Sequence, residues 1–255
     1  MNLKEIIPLK LKRFILLQLK KGNKYLCPFC QFESKELGFF GIDFPVIIEN
    51  EIIGSGRRSC SCYSCGSTDR QRLVFIYLKY ETQILKSPQN FKVLHIAPEP
   101  HLSHILYKLG FKEYVCGDLF TEGYTYPKFV QNMNILNIQY PDNYFDLIIC
   151  NHVLEHIIDD HIAIKELSRV LKNSGQAILQ VPISKKLNNT FEDRSVIRPE
   201  DREKIFGQAD HVRIYGQDYS DRLEQNGFKV DRINIIEKYQ KFGLNPLEDL
   251  FICSK

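Results

Sequence analysis

The cysteines of this chain are unevenly placed, with Cys27, Cys30, Cys60, Cys62 and Cys65 all between Tyr25 and Asp69. Cys27-Pro-Phe-Cys30 and Cys62-Tyr-Ser-Cys65 are two Cys-x-x-Cys pairs, a spacing that lets four thiolates converge on one tetrahedral zinc ion. Each pair can wrap a tight knuckle, and Gly66 suits the turn after Cys65. Four protein ligands leave no position open for water, so zinc held by Cys27, Cys30, Cys62 and Cys65 is expected to be structural. Cys60 is the alternative to Cys62, with a spacing that makes a poorer knuckle. Cys116, Cys150 and Cys253 lie in apolar runs and read as core thiols.

Titratable residues gather in two further stretches, Asn151-His152-Val-Leu-Glu155-His156 and Asp210-His211-Val-Arg213-Ile-Tyr215. Histidine is the usual proton acceptor near neutral pH. Glu155 and His156 read first as a structural hydrogen bond holding their loop, and His211 and Arg213 as binders of an anionic or sugar substrate or as part of a surface loop with ordinary salt bridges. Arg57, Arg58, Arg70 and Arg72 flank the second knuckle and could meet phosphate or form a solvated rim.

The elements that must position these residues follow from periodicity. Met1 to Leu26 is basic, with Lys4, Lys10, Lys12, Arg13, Lys20, Lys21 and Lys24 against Glu5. Ile7, Leu11, Phe14, Ile15 and Leu19 recur at near-helical spacing, predicting an amphipathic helix packed on the rest of the protein, or else lying on a membrane surface or RNA. A second helix is expected from Asp69 to about Lys86. From Phe91 the pattern alternates: strands at 92–97, 113–118, 128–133, 144–150 and 176–181, helices at 101–109 and 159–172, then a helix at 216–226 and strands at 228–236 and 249–254. Alternation implies parallel pairing with right-handed crossovers, and apolar runs such as Leu147-Ile-Ile imply a sheet covered on both faces. The expected organisation is a basic helix (1–26), a zinc module with a linking helix (27–90) and an α/β domain (91–255). In such a sheet the ligand sits at the carboxyl ends of the strands, near the switch in strand order.

With hydrophobic residues at 44%, disorder is excluded, and a formal charge of +3 decides nothing about nucleic acid. The sequence reads as lacking a secretory signal and any apolar run near the roughly 20 residues of a membrane span, so a cytoplasmic, reducing setting is expected.

Val93-Leu-His-Ile-Ala-Pro-Glu-Pro100, Cys116-Gly-Asp118, Pro141-Asp-Asn-Tyr-Phe-Asp-Leu-Ile-Ile-Cys-Asn-His-Val-Leu-Glu-His-Ile157 and Glu166-Leu-Ser-Arg-Val-Leu-Lys-Asn-Ser-Gly-Gln-Ala-Ile-Leu-Gln-Val-Pro182 follow in that order. Together they resemble the small class I S-adenosylmethionine-dependent methyltransferases, most specifically from Val93 to Val181. The resemblance implies a Rossmann-like seven-stranded sheet with the last strand antiparallel, and S-adenosylmethionine across the strand ends. By position, His95, Ala97 and Glu99 would face the methionine part. Asp118 would accept from the ribose hydroxyls, and Asn134 and Ile135 would lie along the adenine. Asn151 and His152 would face the methyl group, with His152 the best catalytic candidate and His211 a second in a lid over the acceptor. His95 stands where the family has an acid, and Ala97-Pro-Glu-Pro100 where it has glycines; Glu99 is read as restoring the carboxylate, by binding the ligand's amino group.

Three functions are compatible with this reading. The first is methyl transfer to a small-molecule or glycan acceptor. The second is an RNA methyltransferase gripping its substrate with the zinc module and the basic helix. The third is a non-catalytic, zinc-dependent binding protein with a relic methyltransferase fold. The first is expected, because the module has few aromatic and basic residues interleaved for base stacking.

Overall fold

A computed structural model describes residues 8–123 and 125–255. Its centre is a seven-stranded sheet of β1 (Lys92–Ile96), β2 (Glu113–Asp118), β3 (Val130–Asn132), β4 (Phe145–Asn151), β5 (Leu171–Gln180), β6 (Lys229–Ile233) and β7 (Leu250–Ser254). The order is β3-β2-β1-β4-β5-β7-β6. β1 to β5 pair in parallel, and β7 runs antiparallel to both β5 and β6. The last strand is thus the reversed one, as the resemblance implied. Order reverses between β1 and β4, which opens a crevice at their carboxyl ends.

Successive residues of β1 and β4 feed two cores. Leu94, Ile96, Ile148 and Cys150 face helix α5 (Asp160–Val170) through Ala163, Ile164 and Leu167. Val93, Leu147 and Ile149 face α3 (Asp69–Tyr80) and α4 (Pro100–Lys108) through Leu73, Ile76, Leu102 and Leu106. Alternate residues pointing to opposite covered faces explain why these strands are apolar throughout.

The cysteine-bearing segment is built into this domain. Its strands Lys21–Leu26 and Glu33–Ser34 pair, as do Gly38–Phe40 and Arg58–Ser61. Ile52–Ile53 adds antiparallel to Ile183–Ser184, just beyond β5. Ile47, in the short helix α2 (Pro45–Glu49), packs with Phe206 of α6 (Pro199–Phe206) and Ile214. Arg72 is 1% exposed, and its guanidinium donates to the carbonyls of Cys60, Ser67, Phe242 and Gly243 at 2.7–2.8 Å. Arg58 grips Asp69 through two 2.7 Å bonds. These arginines, read from sequence as a rim, are structural staples. At Gly41 (φ +92°) the chain passes so close that a Cβ would stand 2.2 Å from the Gly56 carbonyl oxygen, so only glycine fits.

Several elements depart from expectation. The helix from Asp69 ends at Tyr80 and resumes only as a turn at Ile84–Lys86. β5 begins at Leu171, directly after α5. Helix α1 spans Leu9–Lys20, with Lys4, Glu5 and Ile7 outside the described residues, and then becomes a strand. It has no buried residue, and Leu9, Phe14 and Leu19 are all largely exposed; it meets the cysteine-bearing segment through Arg13, which donates to the Ser64 carbonyl at 2.8 Å, and Lys20, which pairs with Glu36. Among the described residues no helix is long and apolar enough to cross a membrane.

Candidate active site

The carboxyl ends of β1 and β4 open into a cavity of about 510 Å³. Its floor is Ala97, Glu99, Asn151 and His152, and it is roofed by Gly54, Ser55 and Gly56 from the cysteine-bearing segment and by Arg70 and Gln71 from the first turn of α3. Glu155, His156 and His211 form one side.

On the β1 side every group is held. His95 is fully buried, with Tyr114 Oη on its Nδ1 at 2.8 Å and Glu99 Oε2 on its Nε2 at 3.0 Å. Both ring nitrogens are thereby taken. Asn151 Nδ2 donates to the other Glu99 oxygen at 2.9 Å. Burial works against ionisation of Glu99, but the bond and charge of His95 and the Asn151 amide outweigh it and hold the carboxyl below its ordinary value. Both Glu99 oxygens keep lone pairs free, and the buried Asn151 Oδ1 has no partner. An ammonium group placed between them would satisfy all three acceptors. The loop is short: Ala97 adopts φ +45°, the left-handed conformation otherwise left to glycine, and Pro100 starts α4. This corrects the placement of His95, which orients Glu99 from beneath and cannot touch a ligand.

On the β4 side the groups are under-satisfied. His152 has φ +52° and neither ring nitrogen is bonded, although Glu155 Oε1 lies 3.3 Å from Nδ1 and Glu248 Oε1 4.0 Å from Nε2. Burial, with the nearby Arg70 charge, pushes His152 down to about 4, against the pull of Glu155, so the ring is neutral at pH 7. The second Glu155 oxygen, one Glu248 oxygen and Gln71 Oε1 are also buried without partners. Glu248, absent from the sequence-based candidates, is raised to about 7 by burial and by the charge of Asp69.

Asp118 lies outside the cavity but beside it: Ala97 N–H donates to the Gly117 carbonyl at 2.8 Å. Burial raises the Asp118 carboxyl, and among the described residues it forms no ion pair. Leu119 and Phe120 after it are 57% and 45% exposed, apolar surface at a strand end. Asn134 is exposed, with its Oδ1 taken by the Leu136 N–H at 2.9 Å. Ile135 points into the core and offers no side chain to a ligand. Arg213 is 2% exposed and bonded to Glu192 and the carbonyls of Leu154, Ile157 and Ile158. It holds the loop and is not available to a substrate, unlike its neighbour His211.

The Cys-x-x-Cys pairs form matching knuckles. Gln31 N–H returns to the Cys27 carbonyl at 2.9 Å, and Gly66 N–H to that of Cys62 at 2.8 Å. Gln31 and Gly66 both have positive φ, a need visible in the sequence only at the glycine. The four sulfur atoms cluster, with Cys27–Cys65 and Cys30–Cys62 each 3.6 Å apart. That is far beyond a disulfide and close to the roughly 3.8 Å edge of a tetrahedron with zinc–sulfur bonds of about 2.3 Å. The cluster therefore fits a closed zinc site of four thiolates. Cys60 lies outside it, its thiol pushed up to about 11 by burial. His101 Nε2 bonds the Cys65 carbonyl at 2.7 Å and ties the second knuckle to α4.

Residues 103–179 match the family described as a methyltransferase domain. A 49-residue stretch is 45% identical to an uncharacterised protein of Methanocaldococcus jannaschii, covering 19% of this chain and 21% of that one. The chain thus matches about a fifth of that relative's length. Among solved structures, the [4+2]-cyclase SpnF is 11% identical over 85% of this chain and 99% of its own, with a TM-score of 0.50. An S-adenosylmethionine-dependent methyltransferase from Archaeoglobus fulgidus is 15% identical over 72% and 94%, with a TM-score of 0.45. One from Mesorhizobium loti is 12% identical over 65% and 91%, also at 0.45. The likeness to SpnF, at a TM-score of 0.50, speaks to the fold alone. Residues 103–179 match a methyltransferase-domain family and sit in a Rossmann-like seven-stranded sheet with a single reversed strand, the architecture the sequence resemblance implied.

Proposed function

We propose that this protein transfers a methyl group from S-adenosylmethionine to a small-molecule or glycan acceptor bound in the roofed cavity. The observation that carries the reading is the Glu99–Asn151 pair at the topological switch: two fixed acceptors, one with an unpaired buried oxygen, with the Asp118 carboxylate at the end of the neighbouring strand. S-adenosylmethionine, when bound, supplies an already activated sulfonium methyl. Glu99 and Asn151 Oδ1 would take its ammonium, and Asp118 its ribose hydroxyls. Leu119 and Phe120 would give the adenine an apolar face.

The remaining work is alignment of the acceptor, which proximity rewards strongly. The cavity falls in the roughly 300–1,000 Å³ range of small-molecule sites. His152, neutral and with both nitrogens unbonded, would receive a proton from an acceptor hydroxyl or amine. Arg70 lines the same space and would hold a negative group of the acceptor. Zinc on Cys27, Cys30, Cys62 and Cys65 would support the roof and take no part in the reaction.

A second reading, an RNA acceptor, draws on α1, whose exposed surface carries Lys10, Lys12 and Arg13. Affinity for RNA that falls steeply with salt would favour it. The test of the main reading is calorimetry with S-adenosylmethionine and S-adenosylhomocysteine on wild type and Asp118→Ala. Binding by wild type that is lost in the variant supports it. No binding by folded, zinc-loaded wild type would overturn it in favour of a binding protein.

A further inference from the structure

Glu155, His156 and His211 each offer a ligand atom to one point, all within 4.8 Å of one another. They reach it from two distant segments. Glu155 and His156 lie on the turn Leu154–His156 after β4, and His211 on the loop after α6. The Val212 N–H donates to the Glu155 carbonyl at 2.9 Å and holds the two segments in register.

The contacts within the cluster do not satisfy it. His156 Nε2 is 4.0 Å from Glu155 Oε1, beyond hydrogen-bond range. The two imidazoles meet edge to face with centroids 4.7 Å apart. Glu155 is 2% exposed, and its Oε2 has no partner. A structural hydrogen bond holding the loop, the reading suggested by the sequence, therefore leaves a buried carboxylate oxygen unpaired, which native proteins avoid.

The outer contact of His156 is that of a metal ligand. Asp210 Oδ2 sits 3.2 Å from His156 Nδ1, which fixes the ring and turns Nε2 inward. A carboxylate or carbonyl on the outer nitrogen of a ligating histidine is the usual orienting device. All three residues line the cavity, so an ion there would keep open positions facing the bound acceptor.

We propose that Glu155, His156 and His211 bind a divalent transition-metal ion, distinct from the four-cysteine site. Two imidazoles and one carboxylate with open positions suit zinc, cobalt, manganese or iron(II) better than magnesium. The ion would take an oxygen of the acceptor, which rests on the methyltransferase reading and narrows the acceptor to a hydroxyl or carboxylate compound. The ion itself does not depend on that reading.

The experiment is metal analysis of the full chain loaded with zinc and, separately, with cobalt, for wild type, His211→Ala and His156→Gln. S-adenosylhomocysteine binding is measured on the same samples. The expected result is one metal ion fewer per chain in each variant, with the sulfur-to-cobalt charge-transfer band of the four-cysteine site unchanged. That unchanged band also reports that the variant is folded; His156→Gln covers a folding failure of His211→Ala. Equal metal content in wild type and folded variants, with cobalt absorption from thiolates alone, would overturn the proposal. Metal loss in the variants without S-adenosylhomocysteine binding by wild type would uphold the ion and overturn the methyltransferase reading.

Discussion

Two glutamates flank the mouth of the same cavity, each beside a histidine, and they are treated in opposite ways. Glu99 has a partner on each oxygen, His95 at 3.0 Å and Asn151 at 2.9 Å, and a tyrosine behind the histidine. Glu155 has one oxygen 3.3 Å from an imidazole that is itself unbonded and another oxygen with no partner. A fully held carboxylate is a fixed charge that costs little reorganisation when a cation arrives. An under-held one is completed by whatever enters. On the proposed function, the β1 side would recognise one constant ligand, and the β4 side would be completed by an ion and an acceptor.

The largest test of this contrast removes the roof common to both sides. Cys62→Ser, or chelation of the metal on the four cysteines, is expected to lower Tm by more than about 10 °C, since structural zinc contributes folding energy outright. It should abolish S-adenosylhomocysteine binding as well. An unchanged Tm by calorimetric scanning would show the roof to stand without metal.

Next, Glu99→Gln removes the charge while keeping the shape. A hydrogen bond to a charged group contributes about 1.5–3 kcal/mol, so S-adenosylhomocysteine affinity should fall about 10–100-fold at nearly constant Tm. Equal affinity by calorimetry would break the assignment of Glu99 to the ammonium.

On the other side, Glu248→Gln should act through stability. The folded protein holds the Glu248 proton up to about pH 7, against an ordinary value of 4.5. Between these values the folded state binds more protons than the unfolded one, so this carboxyl lowers stability as pH rises through the window. Glu248→Gln should therefore gain on the order of 1–3 kcal/mol over wild type at pH 8 and nothing below pH 4.5. Denaturant titrations at both pH values decide it, and a gain that is the same at both would contradict the buried-acid reading.

The smallest effect separates contact from support. His95→Leu should weaken S-adenosylhomocysteine binding about as much as Glu99→Gln. His95→Gln, whose amide can still donate to Glu99, should recover most of it, to within about 3–10-fold of wild type. Equal loss in both would make His95 more than a positioning residue.

The strands and knuckles were legible because their signals are local. The apolar run Leu147-Ile-Ile, the glycine after Cys65 and the acid ending β2 at Asp118 announce themselves within a few residues. The roof was not, because it is made of long-range pairings: Ile52–Ile53 against Ile183–Ser184, and Ile47 against Phe206. No periodicity in either segment points to the other. His95 and Arg213 were misplaced for a related reason. Sequence shows that a polar residue sits near the strand ends, but whether it faces the ligand or is consumed by neighbours depends on partners such as Tyr114 and Glu192. Glu155 and His156 appeared in the sequence as a pair apart from His211, and only the fold brings the three together.

The most direct test is a crystal structure of the zinc-loaded protein with S-adenosylhomocysteine. The amino group is expected between Glu99 and Asn151 Oδ1, the ribose hydroxyls on Asp118, and the sulfur atom facing the cavity toward His152. Ligand bound elsewhere, or strand ends empty at saturating ligand, would contradict the cofactor site proposed for these strand ends.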